Sequence, residues 1–486
     1  MTSLRLDWPT ALVVPAALLA NGCERSPTSD LEILVPSFSI VVAVIINEDL
    51  GTLGGNTGSA LAINAGGHVA GQSSTASGDL HAFLWDGRMH DLGTLGGNRS
   101  GGSGNFHMAI NAGGQVAGTS STASGDVHAF FWDGTMHDLG TLGGRISSSR
   151  ALNAAGQVVG VATTAANDNA HAFFWDGARM RDLGEGIAED VNDAGQVVGA
   201  STVVSEDGHA FFYDGTTMRD LGTLGGTFSF ATAINALGQV VGSSATASGD
   251  EHAFFWDGRT MHDLGTLGGN RSSPVAFHAA FNAAGQVVGS STTASGDEHA
   301  FFWDGTRMRD LGTLGGRTSR AFALNDAGLV VGVSTTPSGD EHAFLWDGRT
   351  MFDLGTLGGK TSSAFAINAG GQIVGTSSTA SGETHAMRWT VIVRQATPSE
   401  EIRIIRDAVM NLVTTGKVNP GQGNSFVVKL DAARRQLDSG NLQAAKNILQ
   451  AFIREVQSLI ADGTLSAADG QPLIDAAQSA IDKLSA

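Results

Sequence analysis

The chain has one cysteine, Cys23, in 486 residues, so no disulfide can form within it, and packing and hydrogen bonds must hold the fold together. Basic residues are scarce, since 28 Lys plus Arg face 47 Asp plus Glu, which gives a net charge of −19. This charge disfavours nucleic acid and anionic membranes as partners but allows a cation. No apolar run is long enough to span a bilayer. Proline is rare, whereas 67 glycines predict many tight turns and favour an all-β fold.

The first 23 residues have the pattern of an export signal. Arg5 provides a short basic region, an apolar stretch runs from Ala11 to Ala20, and Asn21-Gly22-Cys23 follows. This order resembles a bacterial lipoprotein signal that ends at an acylated cysteine, and it predicts lipidation of Cys23. A plain secretory signal and the absence of any export signal are the alternatives. We expect residues 1–23 to be the signal and residues 24–40 to be a linker.

A His-Ala-(Phe/Met) triplet recurs eight times, with spacings of 47, 43, 38, 43, 47, 43 and 43 residues, and defines eight repeat units. The eight triplets begin at His81, His128, His171, His209, His252, His299, His342 and His385.

Each unit predicts four short antiparallel strands separated by turn signals. In the seventh unit, Ala321 to Asn325 and the β-branched run from Val330 precede the strand from His342 to Trp346, and Asp347-Gly348 predicts a tight type I′ hairpin turn. The strand that ends at Trp346 is apolar on both faces, so neighbouring sheets must cover both. The sequence therefore predicts a mainly β fold, an eight-bladed β-propeller over residues 41–392.

The two ends of the array complement each other. It begins at Asn47-Glu-Asp-Leu-Gly51 without a preceding His-Ala-Phe strand and ends at His385-Ala-Met-Arg-Trp389 without a following Asp-Leu-Gly copy. Pairing of these ends would complete one blade and remove the open edges of the ring. A β-solenoid or two smaller sandwiches are the alternatives, but a solenoid needs no complementary ends.

The repeat motifs are His-Ala-Phe, Trp-Asp-Gly, Asp-Leu-Gly-Thr-Leu-Gly-Gly and Ile-Asn-Ala-Gly-Gln-Val-Val-Gly. Over about residues 47–390 they resemble the HAF family of extracellular bacterial repeats. The resemblance implies an extracellular or cell-envelope location and supplies no activity. The fourth copy departs most, because Asp182-Leu-Gly-Glu-Gly186 replaces the usual loop and Tyr213 replaces tryptophan. We expect that blade to be the least regular.

After Trp389 the repeat ends, and residues 397–486 have the apolar spacing of four amphipathic helices. Thr397-Pro-Ser-Glu400 predicts a capping box at the first helix, whereas Gly470 and Pro472 weaken the start of the fourth. Together the four predict a small bundle. Through Leu449 to Val456 and Asp475-Ala-Ala-Gln, this tail resembles the FIMAH domain of bacterial surface proteins, which carries no catalytic residues.

The loops before the fourth strand of each unit are predicted to emerge on one rim of the ring and to make that rim acidic. If binding occurs, we expect it on this rim, with a calcium ion or another cationic partner as the ligand. Arg99, Arg145, Arg271, Arg317 and Lys360 are predicted on the same rim, so charge pairing within the chain is the alternative. The candidate binding residues are Asp79, Asp126, Asp250, Glu251, Asp297, Glu298, Asp340 and Glu341.

The repeated histidines are predicted to be structural, as part of a hydrogen-bonded wedge between blades, because a metal needs several ligands at one point. The eight asparagines at one turn position are likewise predicted to stabilise turns. They are Asn64, Asn111, Asn153, Asn192, Asn235, Asn282, Asn325 and Asn368.

Catalysis requires one asymmetric group of residues, and only the fourth unit offers candidates, namely Glu185, Glu189 and Asp190. We therefore predict a monomeric, non-enzymatic binding or scaffold protein without a required cofactor, whose partner is a surface protein, a glycan or an ion. A polysaccharide-acting hydrolase or lyase that uses the fourth unit is the alternative.

Overall fold

The computed structural model describes residues 28–35, 39–102, 107–165, 169–205, 207–274 and 280–484, and it describes side chains from Ile45 onward except those of residues 392–395. These residues divide into two compact units, one of residues 47–390 and one that contains residues 391–484 together with the described residues before Asn47.

The described part of the chain is mainly β. Its strands are β1 Thr28–Val35, β2 Ser39–Gly51, β3 Gly54–Ile63, β4 Val69–Thr75, β5 Leu80–Trp85, β6 Met89–Asp91, β7 Gly96–Gly101, β8 Ala109–Ile110, β9 Val116–Thr122, β10 Val127–Trp132, β11 Met136–Asp138, β12 Gly143–Leu152, β13 Val158–Thr164, β14 Ala170–Trp175, β15 Met180–Val191, β16 Val197–Ser201, β17 His209–Tyr213, β18 Met218–Asp220, β19 Gly225–Ile234, β20 Val240–Thr246, β21 Glu251–Trp256, β22 Met261–Asp263, β23 Gly268–Ser273, β24 Val287–Thr293, β25 Glu298–Trp303, β26 Met308–Asp310, β27 Ser319–Leu324, β28 Val330–Thr335, β29 Glu341–Trp346, β30 Met351–Asp353, β31 Gly358–Ile367, β32 Gln372–Thr379 and β33 Thr384–Gln395.

Each repeat folds as a short antiparallel meander. In the seventh unit, β27 pairs with β28, β28 with β29, and β29 with β30. The predicted two-residue turn at Asp347-Gly348 is wrong, because Trp346 pairs with Met351 and the loop contains four residues. The aspartate explains the difference. Its Oδ1 accepts hydrogen bonds from the backbone N–H groups of Arg349 and Thr350, which stabilises a wider turn.

Apolar clusters fill the space between neighbouring sheets. One such cluster joins Val288 and Phe302 of the sixth unit to Ala321 and Phe344 of the seventh. The middle aromatic residue of each His-Ala-Phe strand is fully buried and lies against a glycine of the adjacent strand. At Gly71 an added Cβ would lie 2.1 Å from Ser59 O and 2.5 Å from Phe83 Cζ, so only glycine fits there.

The first and last repeats are in contact. Strand β2 pairs with β33, so it supplies the fourth strand of the last sheet. Thr57 on β3 forms a parallel bridge with Thr384 on β33. Apolar residues Leu50 and Phe83 from the start of the array pack in one cluster with Val374 from its end. The complementary ends seen in the sequence therefore meet.

The segment predicted as a linker, residues 24–40, carries a strand instead. Strand β1 pairs with β2 from Thr28 opposite Ile46 to Val35 opposite Ser39. The physical reason is that Leu31-Glu-Ile-Leu-Val35 lies opposite Ser39-Ile-Val-Val-Ala43, and both runs are rich in the apolar and β-branched residues that suit an extended pair. The compact repeat unit also begins at Asn47 and not at the predicted residue 41.

The tail forms four helices, α1 Pro398–Thr414, α2 Pro420–Asp438, α3 Leu442–Ala461 and α4 Ala467–Lys483. The capping box predicted at Thr397 is present, with Glu400 as its second member. Phe426 and Phe452 meet edge to face at 5.2 Å between ring centroids in the core of the bundle. Helix α4 runs through Pro472 without a break.

Candidate functional site

The acidic rim loops share one hydrogen-bonded arrangement. In five of them the hydroxyl of a serine donates to the aspartate two residues later, at 2.7 to 3.1 Å. These aspartates are Asp79, Asp126, Asp250, Asp297 and Asp340. Their carboxylates therefore stabilise their own loops, and within the described part of the chain no three of the His, Asp, Glu or Cys side chains are placed to bind one metal ion.

Arginines from the neighbouring loops reach the acidic rim residues. Arg271 Nε lies 3.1 Å from Glu251 Oε2, and Arg317 Nη2 lies 2.7 Å from Asp297 Oδ1. Arg145 also contacts Asp126. Hydrogen bonds from Ser124 and Arg145 hold the pKa of Asp126 below its usual value. Charge pairing within the chain thus occupies part of the predicted binding rim.

Arg320 holds a bridging position among the remaining rim acids. Its guanidinium lies 3.7 Å from Glu298 and 3.5 Å from Glu341, and all three side chains are more than a third exposed. These contacts are long for hydrogen bonds, so they leave this charged group open to rearrangement when another polar group approaches.

Each repeated histidine pairs with an aspartate of the next strand in its own sheet. The Nδ1 atom lies 2.7 to 3.0 Å from the carboxylate of the Asp-Leu-Gly motif in all eight units. The aspartate also accepts a backbone N–H bond, as Asp91 does from Gly93 at 2.8 Å. The sequence analysis predicted a hydrogen-bonded wedge between blades, but the bond between histidine and aspartate lies within one sheet. The last pair, His385 with Asp49, joins the two ends of the array.

The asparagines form a chain of hydrogen bonds between units that runs from Asn282 across the ends of the array to Asn235, which the sequence interpretation missed. The side-chain amide of one asparagine donates to the backbone carbonyl of the next, at 3.0 to 3.2 Å, in seven successive steps. The step from Asn368 to Asn64 spans 304 residues and connects the last unit to the first. The recurrence of the asparagine in every unit was visible in the sequence, but a role in stabilising turns was enough to explain that recurrence.

The first strand of six sheets contains a β-bulge, in which one extra residue interrupts the pairing. The bulge lies three residues before the repeated asparagine in each of these units. Bulges re-aim side chains and are frequent beside functional sites. The bulged residues differ from unit to unit, whereas small residues flank most of them. They are Leu61, Arg150, Glu189, Thr232, Phe322 and Phe365.

Bulged residues of neighbouring units approach one another. The rings of Phe322 and Phe365 are 5.9 Å apart, and Arg150 Nε lies 3.7 Å from Glu189 Oε1. The repeat scaffold therefore places different chemistry at equivalent points around the array. A comparison of the eight copies would have revealed this variable position.

The fourth unit is the least regular, as its sequence indicates. Strand β15 continues without a break from the sheet of β14 into the sheet of β16, where the other units have a loop. Glu189 is 7% exposed, and burial raises its pKa to about 7 although the charge of Arg150 opposes the shift. Burial also raises the pKa of Asp190 to about 6, against the hydrogen bonds that it accepts from Ile234 and Val191. Glu185 is exposed.

A cavity of about 330 Å³ opens between the fifth, sixth and seventh units. It is lined by Phe230 and Thr232 of β19, by Ser290 of β24, and by Arg271 and Arg320. The volume is at the lower end of the range for small-molecule sites. Neither Glu189 nor Asp190 lines it.

Two further predictions concern attachment to a membrane. Cys23, the predicted lipidation site, is outside the described residues. Among the described helices, none combines the length and the apolar composition needed to cross a membrane.

No protein-family model and no curated protein matches the chain. Among solved structures, it is similar to a puromycin-hydrolyzing peptidase of Mycobacterium tuberculosis, with 15% identity and a TM-score of 0.44 over 67% of this chain and 59% of that one. The chain thus spans little more than half the length of that peptidase. It is also similar to SapL1 lectin in complex with α-methyl fucoside, with 13% identity and a TM-score of 0.28 over 71% and 97% of the two chains. A third similar structure is a six-bladed β-propeller lectin of Aleuria aurantia, with 11% identity and a TM-score of 0.25 over 59% of this chain and 94% of that one. Similarities at this level indicate no function.

Proposed function

We propose that residues 47–390 form an eight-bladed β-propeller that serves as a non-enzymatic binding scaffold. The observation that carries the proposal is the meeting of the array ends, through the Asn368 to Asn64 bond and the His385 to Asp49 pair. A ring closed in this way holds loops and inter-blade cavities in fixed positions, which is how propellers present binding sites.

The proposed setting is extracellular or cell-envelope, with attachment through Cys23 if that cysteine is acylated and with the helical tail as a partner module. The resemblances to HAF repeats and to the FIMAH domain support this setting, and the net charge of −19 argues against nucleic acid as a partner. The proposed partner is a glycan or a surface protein, and the chain acts as a monomer.

A binding screen of the purified full chain on immobilised glycans and on bacterial cells tests this function. We expect saturable binding to one glycan or surface class, without chemical change of the bound molecule. Mass spectrometry of the recovered ligand checks the second point. Binding to no glycan and to no cell would contradict the proposal.

A calcium ion on the acidic rim is a narrower form of the proposal. Serines and arginines already satisfy part of the rim carboxylates, so any calcium must compete with these bonds. If calcium binds, millimolar addition raises the melting temperature of the full chain, and Asp340→Asn reduces the rise. An unchanged melting temperature would remove calcium from the proposal.

The second candidate function is cleavage of polysaccharides by the fourth unit. Two carboxyls with raised pKa values, Glu189 and Asp190, favour it, because a general acid must hold its proton near neutral pH. Activity on a polysaccharide panel that Glu189→Ala abolishes would establish the enzyme and replace the scaffold proposal.

A further inference from the structure

The cavity between the fifth, sixth and seventh units holds two hydroxyl groups without an internal partner. Ser243 and Ser290 line the cavity and are 6% and 8% exposed. Within the described residues neither hydroxyl has a hydrogen-bond partner. Neither hydroxyl oxygen is among the fully buried polar atoms that lack a partner in the described residues, so both oxygens are accessible from the cavity and free to bond to a ligand.

The remaining lining adds one apolar face and several polar groups. The ring of Phe230 is partly exposed in the cavity, next to the hydroxyl-bearing Thr232. Among the charged lining residues, Arg320 and Glu298 lie 3.7 Å apart, and Arg271 pairs with Glu251. Because each guanidinium has at least one carboxylate within 4 Å, the cavity presents no unpaired arginine to a charged ligand.

The cavity occurs where the repeats differ. The position of Phe230 is serine in the first, third and eighth units, at Ser59, Ser148 and Ser363, and the position of Ser243 is Thr376 in the eighth unit. Phenylalanine also holds the position of Phe230 in the second and sixth units, at Phe106 and Phe277, and Ser243 and Ser290 share one repeat position, but the fifth and sixth are the only consecutive units in the sequence that both carry serine there.

We propose that this cavity binds one uncharged pyranose residue of a glycan. A sugar ring presents several hydroxyls, which can donate to and accept from Ser243 and Ser290, and an apolar C–H face that packs on Phe230. About 330 Å³ is enough space for one sugar residue of a glycan. The inference rests on the proposed binding function and names the subsite and its ligand class.

The experiment measures binding of the full chain to methyl glycosides of glucose, galactose, mannose and fucose, and to methyl glucuronide as the charged probe, by saturation-transfer NMR and calorimetry. We expect binding of at least one neutral glycoside and weaker binding of the glucuronide. Ser243→Val and Ser290→Val should each weaken the neutral glycoside at least tenfold. Thr376→Val, at the equivalent position of the eighth unit, is the matched control and should leave the affinity unchanged.

The melting temperature of each variant shows whether it folds, and Ser290→Ala, which removes the hydroxyl without adding bulk, provides a milder test. Neutral glycoside binding that all serine variants retain would overturn the subsite while leaving the binding function in place. Stronger binding of the glucuronide would overturn the neutral ligand class. Failure of the wild-type chain to bind any glycoside, with retained binding to cells, would overturn the sugar ligand but not the scaffold.

Discussion

At the residue scale, the close contact between a buried phenylalanine and a glycine sets the spacing of neighbouring strands. Phe83 is fully buried, and the strand that crosses it carries Gly71 at the point of contact. Any side chain there meets both a carbonyl oxygen and the aromatic ring, and neither can move without displacing a strand.

We therefore predict that Gly71→Ala lowers the free energy of unfolding by about 3 kcal/mol, because the new Cβ forces two strands apart. Urea unfolding followed by tryptophan fluorescence measures the change. Gly66→Ala is the control, since its added Cβ would meet only Asn64 Oδ1 at 3.3 Å, and it should change stability by less than about 1 kcal/mol. Equal effects of the two substitutions would contradict the close-contact explanation.

Glu189 makes stability depend on pH. Its pKa in the folded chain is about 7 against a usual 4.5, so the folded state binds the proton more tightly than the unfolded state does. The stabilising contribution is complete below about pH 4.5 and is lost as the pH rises to about 7. The pKa difference corresponds to about 3 kcal/mol at most.

Replacing Glu189 by glutamine should remove this loss. We expect Glu189→Gln to match the wild-type chain at pH 4.5 and to exceed its melting temperature at pH 8, with a smaller slope remaining from Asp190. Thermal unfolding between pH 4.5 and pH 8 measures the difference in melting temperature, and Glu185→Gln, an exposed position on the same strand, is the control. A variant less stable than wild type at pH 8 would show that the attraction of Arg150 outweighs burial.

At the element scale, local signals predicted the helix ends well. Thr397 caps α1 as its capping-box context predicts, because capping depends on residues within one turn, and Ser466 caps α4. The predicted weak start of α4 is not visible as a break. Gly470 serves packing, since an added Cβ would lie 2.7 Å from Ile460 Cδ1 on α3. Turn width and the bulged positions were not predicted, because each depends on contacts with another strand.

Helices α1 and α4 share a buried charged group. Glu401 is fully buried and accepts from Lys483 Nζ at 2.7 Å and from Ser479 Oγ at 2.8 Å, while Lys483 also donates to Ala396 O. Loss of the lysine would remove a cation from a buried carboxylate, which costs more than the pair itself contributes.

Lys483→Met should thus destabilise the helical tail by about 3 kcal/mol, and Glu401→Met combined with Lys483→Met should recover most of the loss. Hydrogen exchange of α1 and α4 amides in the full chain reports the local effect. If the single and double variants exchange equally fast, the charge pair is not the cause.

At the scale of the whole repeat unit, the sequence revealed the period, the strands and the complementary ends, because each follows from self-similarity. It did not reveal the chain of asparagine bonds between units or the cavity. Both depend on which units become neighbours, and the link from Asn368 to Asn64 joins residues that no local pattern relates. The rim was predicted as a binding surface, yet many of its carboxylates stabilise loops. The arginine partners of Asp126 and Asp297 come from adjacent units, so the sequence of one unit does not reveal these pairs.

Closure of the ring can be tested by a covalent bond between its ends. Thr57 and Thr384 are partners in a parallel bridge, a geometry close enough for a disulfide. In a Cys23→Ser background, Thr57→Cys with Thr384→Cys should form an intramolecular disulfide under mild oxidation, detected by mass spectrometry and altered gel mobility. Because the bond closes a loop of more than 300 residues, it should stabilise the chain by up to about 5 kcal/mol. Thr318 holds the position of Thr57 in the seventh unit, so Thr318→Cys with Thr384→Cys presents the same chemistry across units that are not joined by that bridge, and it should remain reduced. A disulfide in the control pair but not in the test pair would mean that the two ends of the array do not meet in solution.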